Sequence, residues 1–343
     1  MNTIFEQHQK AHGQSLRVNN ATPQYTLPVL VTVIVTVYKR TKFLKEAIGS
    51  VLNQKFHSFE IIVTDDSNSD AVMAICDLFN NSQIRYRANS VALGVALNLR
   101  VAISEARGEY IAILNDDDVW EPDFLESLVF PLQVDSEISL AFCDHWITSE
   151  DGSLDLLRTN ANSLHYGRDI LPEGYIYNLE ELVLEKNSIP MAMAAIFRKN
   201  AIDFGLLVSD VVGAYDFWLA CLLAAYGRPA YYVSRRLTRY RVHGQMETVR
   251  KAPDKNKNMI YIYEKLIELN LFPKKIDFLH RKCSKSYFQV GKDYLWFNKS
   301  ILARNYFFGA FGSDLNCKAL LYIALSYLPR NFRNVLKITA YGL

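Results

Sequence analysis

Phe59-Glu-Ile-Ile-Val-Thr-Asp65-Asp66-Ser67 and Gly108-Glu-Tyr-Ile-Ala-Ile-Leu-Asn115-Asp116-Asp117-Asp118 are the stretches that decide the fold. Each is a short apolar run that ends in aspartates. A continuous apolar run bounded by polar residues reads as a strand buried on both faces of a parallel sheet. Ligands of open α/β sheets bind beyond the carboxyl ends of such strands. Two acidic clusters therefore face one crevice. Carboxylates crowded together repel unless a hard cation or a hydrogen-bonding ligand lies between them. The expectation is an enzyme site for a metal and a nucleotide.

Working outward, Leu30-Val-Thr-Val-Ile-Val-Thr36 is β-branched and apolar and predicts another buried strand. Phe43 to Leu52 places apolar residues at 43, 44, 47, 48, 51 and 52, a helical spacing. Further helices are expected near 70–79, 95–105 and 123–130, with a short strand over Ile84–Arg87. Gly108 reads as a C-cap after the helix ending near Glu105. This alternation predicts an α/β fold: a mostly parallel, Rossmann-like sheet flanked by helices. Ser139–Trp146 reads as a strand, residues 150–188 as mixed and loop-rich, and Leu206–Tyr226 as helical. Ala230–Val233 and Leu237–Arg241 read as two short strands. From about residue 257 helices dominate.

The chain has 343 residues, half of them hydrophobic, enough for one to three structural units. The net charge of +2 argues against a nucleic-acid partner. From Lys251 to the end there are 16 Lys/Arg against 6 Asp/Glu, so the remainder carries net −8. Five cysteines without a C-x-x-C pair read as reduced thiols. No apolar run opens the chain, and Ala319–Leu328 is far short of the roughly 20 residues a spanning helix needs. A cytoplasmic protein is expected, peripheral to the inner face of the membrane.

Val31–Tyr38, Ala47-Ile-Gly-Ser-Val-Leu-Asn-Gln54, the run ending Asp65-Asp66-Ser67 and Ala106-Arg-Gly-Glu through Asp118 occur in an order that resembles family 2 of the inverting glycosyltransferases. The match is close over 29–130 and weaker to about 245. The resemblance implies a GT-A fold with a helical C-terminal extension. It divides the chain into an arm (1–28), a catalytic domain (29–250, with a nucleotide-sugar half to 130 and an acceptor half beyond) and a basic helical region (251–343).

Thr36 and Tyr38 with Asp65-Asp66 form the first site element. A carboxylate can accept the N3–H of a uracil, and a tyrosine ring can stack on the base. By the resemblance Asp66 takes the base. Alone, Asp-Asp-Ser-Asn-Ser would be ordinary turn composition. Asp116, Asp117 and Asp118 stand at the family's DXD position. The resemblance puts Asp116 on the ribose and Asp117 on Mn²⁺ or Mg²⁺, with Asp118 beside it as a further ligand. A divalent ion neutralises the diphosphate leaving group. Tyr240-Arg-Val-His-Gly244 resembles a late segment of the family, which implies His243 as a metal or phosphate ligand and Arg241 as a phosphate partner. Gly94 opens a helix on which Asn98 and Arg100 are candidate substrate contacts.

An inverting displacement needs a carboxylate to take the acceptor's proton. The family's usual base falls in register on Ala214 of Gly213-Ala-Tyr-Asp-Phe-Trp-Leu219, a departure from the pattern. Asp216 is the favoured replacement and Asp210 the second candidate. Asp216 also fits a plain helix N-terminal acid.

The expected reaction moves a sugar from a nucleoside diphosphate sugar, a UDP-sugar first, to a hydroxyl of a glycan or lipid-linked saccharide in bacterial surface polysaccharide synthesis. In the basic tail, Arg304, Lys318, Arg330, Arg333 and Lys337 alternate with Tyr322, Tyr327, Leu328, Phe332 and Leu336. That pattern suits an anionic membrane surface; a helical cap or a homodimer surface is its alternative. Two rival functions remain: a nucleotidyltransferase making sugar nucleotides, which the glycine-free Val35–Arg40 loop disfavours, and a non-catalytic nucleotide- or glycan-binding module.

Overall fold

The computed structural model describes residues 28–244 and 255–329. They fall into two compact units divided at Met246/Glu247. The arm expected over 1–28, save Pro28, and Arg330, Phe332, Arg333, Leu336 and Lys337 of the tail lie outside the described residues.

In the first unit the apolar runs become β1 (Val31–Val37), β2 (Phe59–Asp65) and β4 (Tyr110–Asn115), with β3 (Ile84–Ala88) at one edge. β1 lies between β2 and β4, parallel to both, with Thr36 opposite Thr64 and Asn115. Burial on both faces explains the unbroken Val/Ile composition. The intervening helices α1 (Leu44–Leu52), α2 (Asp70–Asp77) and α3 (Val95–Ser104) match the expected spacing. β5 (Val119–Trp120), α4 (Phe124–Val134) and β6 (Leu140–Thr148) come next. After them come α5 (Leu156–His165), β7 (Gly174–Ile176), α6 (Leu179–Leu184), β8 (Ala195–Arg198), α7 (Tyr215–Ala225) and β9 (Ala230–Arg241). The nine-stranded sheet runs β3-β2-β1-β4-β8-β6-β9-β5, with β7 on β9. β8 is antiparallel to both β4 and β6, so β6 again runs parallel to β4. The architecture is a mixed, mostly parallel α/β sheet with flanking helices.

Three local expectations are corrected, and the mixed stretch 150–188 gains its elements. Gly108 is not a C-cap: α3 ends at Ser104 and is closed by Glu105. It is glycine because β1 passes against it. A Cβ there would sit 2.4 Å from Thr32 N and 2.7 Å from Val31 C, and its own N–H donates to Thr32 Oγ1 at 2.9 Å. The loop-rich stretch 150–188 contains α5, β7 and α6. α5 buries Thr159 and Ser163 rather than an apolar stripe. Thr159 Oγ1 accepts from Ile147 N at 2.9 Å, and Ser163 Oγ donates to Asp144 at 2.6 Å. The helix expected from Leu206 begins at Tyr215, preceded by short 3₁₀ turns. The two late strands are one, β9, which continues through Ser234-Arg235-Arg236. Arg236 leaves the apolar pattern because it pairs with Asp144 at 3.2 Å and covers the Trp146 ring.

The second unit is helical: α8 (Lys255–Glu268), α9 (Ile276–Trp296), α10 (Ser300–Asp314) and α11 (Cys317–Ser326). Its α9–α10 contact interlocks small with large. A Cβ at Gly291 would lie 2.6 Å from the Phe307 ring, and one at Gly309 2.6 Å from the Tyr287 ring. Among the described residues no helix is long and apolar enough to cross a membrane.

Candidate active site

Parallel pairing through β1 brings the ends of β2 and β4, and with them both acidic clusters, to the same carboxyl edge of the sheet. At the first cluster the two aspartates do different things. Asp65 is buried and saturated: it accepts from Ser67 N (2.8 Å), Ser67 Oγ (2.6 Å), Ser69 N (2.7 Å) and Tyr86 OH (3.0 Å). It closes the turn into α2. Asp66 donates its N–H to Val37 O at 2.9 Å, tying its turn to the end of β1. Its carboxylate accepts from Asn89 Nδ2, Leu93 N and Gly94 N, each at 2.8 Å. A carboxylate offers about four lone-pair sites, so three are engaged in holding the loop that opens α3. Tyr38 stands beyond β1, 50% exposed, with Lys39 beside its ring. Thr36 sits one pleat earlier. Asn98 is buried and bonded within the fold. Its carbonyl accepts from Thr64 Oγ1, Arg87 and Asn89, and its amide donates to Thr64 O.

The second cluster separates three roles. Asp118 is fully buried, accepting from Arg241 N at 3.1 Å and Asn115 Nδ2 at 2.9 Å; burial and the adjoining Asp117 raise its pKa well above the ordinary value. Asp116 is also buried, and burial lifts its pKa to about 7 despite the opposing charge of Arg40. Asp117 Oδ2 faces His243 Nε2 at 3.0 Å and Arg40 Nη1 at 2.7 Å.

The Tyr240–Gly244 segment arrives from the end of β9. Arg241 is wholly engaged by protein. Nε donates to Asp117 O (3.1 Å), Nη1 to Glu150 O (2.9 Å) and Nη2 to Glu46 (2.7 Å), while the guanidinium covers the Phe43 ring at 4.4 Å. Phe43 also packs against His243, 5.2 Å between rings. Arg241 thus braces the Asp117–Asp118 turn, with its nitrogens already bonded to acceptors of the fold.

α7 begins beside this turn, where Tyr215 OH lies 3.4 Å from Asn115 Oδ1. Ala214 is buried. Asp216 is half-buried in the first helical turn, and one of its oxygens accepts from Phe217 N at 2.8 Å. Asp210 is exposed on the preceding 3₁₀ turn with Ser209 Oγ at 3.3 Å. Between them Val212 has φ 37° and ψ −123°. A β-branched residue at positive φ is strained, and such strain is concentrated at functional turns.

Sequence reasoning missed Arg40, Phe43, Glu46 and the Tyr215–Asn115 contact. Arg40 had one available signal: a cation in the loop just after β1, the loop nearest both acidic clusters. Among the described residues no three His, Cys, Asp or Glu side chains converge as a ready metal cage. Asp117 and His243 do converge as a pair. An oxygen and an imidazole nitrogen suit a hard or borderline divalent ion that takes its remaining ligands from phosphate and water.

A model of glycosyl transferase family 2 matches residues 32–203. Among curated proteins, the GalNAc(5)-diNAcBac-PP-undecaprenol beta-1,3-glucosyltransferase of Campylobacter jejuni is 24% identical, over 88% of this chain and 94% of its own. Glycosyltransferase GlyG of Streptococcus pneumoniae is 33% identical, but over 30% of this chain and 35% of GlyG's length. Among solved structures, Staphylococcus aureus TarS 1–349 in complex with UDP-GlcNAc superposes with TM-score 0.65 at 14% identity, covering 91% of this chain and 92% of that one. The mannosyltransferase PcManGT from Pyrobaculum calidifontis, in complex with GDP-Man and Mn²⁺, gives 0.53 at 16% identity, covering 98% and 90%. At these identities the structural likeness is one of fold.

Proposed function

The chain belongs to glycosyl transferase family 2, and from that premise we propose that it moves a sugar from a UDP-sugar to a hydroxyl of a lipid-linked glycan. It is a glycosyltransferase that draws on a nucleotide-sugar donor. The observation that carries a metal-assisted nucleotide-sugar site is the convergence of Asp117 and His243 at the sheet edge where Asp66 follows β2.

In this reading Tyr38 stacks on the base and Asp66 uses its remaining lone pair on the base N3–H. Asp116 meets the ribose. Asp117 and His243 would hold Mn²⁺ or Mg²⁺, which would supply charge neutralisation for the diphosphate leaving group. Asp118 and Arg241, already bonded within the fold, keep the turn in place. Asp216 accepts the acceptor's proton; the Tyr215–Asn115 contact supports a position for it at the site.

The C. jejuni relative's name specifies an undecaprenol-linked acceptor, which supports a lipid-linked acceptor here. Exposed Ile301, Phe308, Leu320 and Leu321 with Lys318 support contact of the second unit with an anionic membrane. Ala214 at the usual base position is the reason the proton falls to Asp216 in this reading.

Thermal shifts with UDP, GDP and TDP, with and without Mn²⁺, test the donor. The expected result is stabilisation by UDP that depends on Mn²⁺; preference for GDP or TDP overturns the uridine reading. Release of free sugar from a UDP-sugar, but not from a GDP-sugar, tests the donor by turnover.

A further inference from the structure

Arg40 reaches from the loop after β1 across both carboxylates of the acidic turn. Its Nε donates to Asp116 Oδ2 at 3.2 Å, its Nη2 bonds Asp116 Oδ1, and its Nη1 lies 2.7 Å from Asp117 Oδ2. That last oxygen is the one facing His243 Nε2 at 3.0 Å. The two carboxylates are buried, whereas the Arg40 side chain is 27% exposed. A divalent ion shared by Asp117 and His243 would meet the guanidinium at the same oxygen, and two cations at contact repel strongly in a partly buried site.

We propose that Arg40 is a displaceable counter-cation. Without nucleotide it neutralises Asp116 and Asp117 and competes with the divalent ion for Asp117. When the metal and the nucleoside diphosphate enter together it releases Asp117, and its freed N–H groups turn to the diphosphate. The proposal rests on the assignment of Asp117 and His243 to the metal. Its physical basis is charge balance. The metal alone adds a cation beside an arginine that has lost a partner. Diphosphate arriving with the metal gives the arginine a new anionic partner, and guanidinium pairs well with phosphate. Metal and nucleotide therefore bind synergistically, each raising the other's affinity by the same factor.

Electron paramagnetic resonance of free Mn²⁺, titrated with protein, reads binding without any turnover. Wild type, R40M and R40K are compared with and without UDP. Wild type is expected to bind Mn²⁺ weakly alone and more tightly with UDP. R40M is expected to bind Mn²⁺ alone about tenfold more tightly than wild type, with the gain from UDP much reduced. R40K keeps the charge without the fork and is expected to fall between them, so it carries the test should R40M not fold. Nucleotide-free Mn²⁺ affinity in folded R40M equal to or below wild type overturns the proposal while leaving the metal assignment intact. Absence of Mn²⁺ binding by wild type even with UDP overturns the metal assignment itself, and this inference with it.

Discussion

Asp117 Oδ2 and His243 Nε2 stand 3.0 Å apart although 126 residues separate them in the chain. β9 delivers His243, and Phe43 and Arg241 hold it there through the ring contacts around the Phe43 side chain. Asp117→Asn is expected to abolish the Mn²⁺-dependent part of UDP stabilisation; the whole of that stabilisation for wild type with Mn²⁺ is about 2.7 kcal/mol at a hundredfold excess over Kd. His243→Ala should weaken Mn²⁺ binding about tenfold or more. Calorimetric titration of Mn²⁺ in the presence of UDP measures both; wild-type affinity in either variant contradicts the assignment.

Asp66 holds the loop that opens α3, and in the proposed reading it would also meet the nucleotide base. Because its carboxylate holds Asn89, Leu93 and Gly94, Asp66→Ala leaves two backbone N–H groups without their acceptor and should cost about 2–4 kcal/mol of stability. Urea unfolding without ligand measures this. A variant as stable as wild type would mean that Asp66 serves the ligand alone.

For the proton acceptor, Asp216→Asn is expected to lower kcat about 10²- to 10⁴-fold with little change in UDP affinity. Asp210→Asn, on an exposed turn, should lose far less. The reverse ranking would move the role to Asp210, and comparable activity of both variants would remove it from either residue.

Gly108→Ala is expected to destabilise by about 3 kcal/mol or more, because its Cβ would strike backbone atoms of Val31 and Thr32, which cannot rotate aside. The thermal midpoint reports it. A C-cap glycine would tolerate alanine far better, so a small effect would restore that reading.

His145 provides a pH signature. It is buried on β6, its Nδ1 has no hydrogen-bond partner, and burial, aided by Arg168 and Arg236, lowers its pKa from 6.5 to about 3. The native imidazole stays neutral where the unfolded chain binds a proton. Its contribution is therefore intact above pH 6.5 and lost as pH falls toward 3, by up to about 1.4 kcal/mol per pH unit. Unfolding free energies at pH 7, 6 and 5 should decline less steeply for His145→Asn than for wild type. Parallel slopes would show that His145 titrates normally.

The parallel core was legible because burial on both faces writes itself as runs such as Ile61-Ile-Val63 and Ile111-Ala-Ile-Leu114. α5 was not, because it docks through Thr159 and Ser163, and hydrogen bonds leave no hydrophobic period. β9 was split in two because the charge of Arg236 is paired with Asp144, 92 residues away. Asp117 and His243 were reached through motifs, whereas Arg241 was expected on phosphate and is found bonded to Glu46, Asp117 and Glu150.

From its sequence alone this chain specified an alternating α/β core and the acidic character of the turns beyond two of its strands. Those properties depend on local burial, which each residue records in its own side chain. Only the tertiary structure decided which aspartates remain available and which are consumed as struts, and that Arg40 occupies the oxygen a metal would need. A charge or hydrogen-bond donor carries no mark of its partner until folding brings the two within about 3 Å.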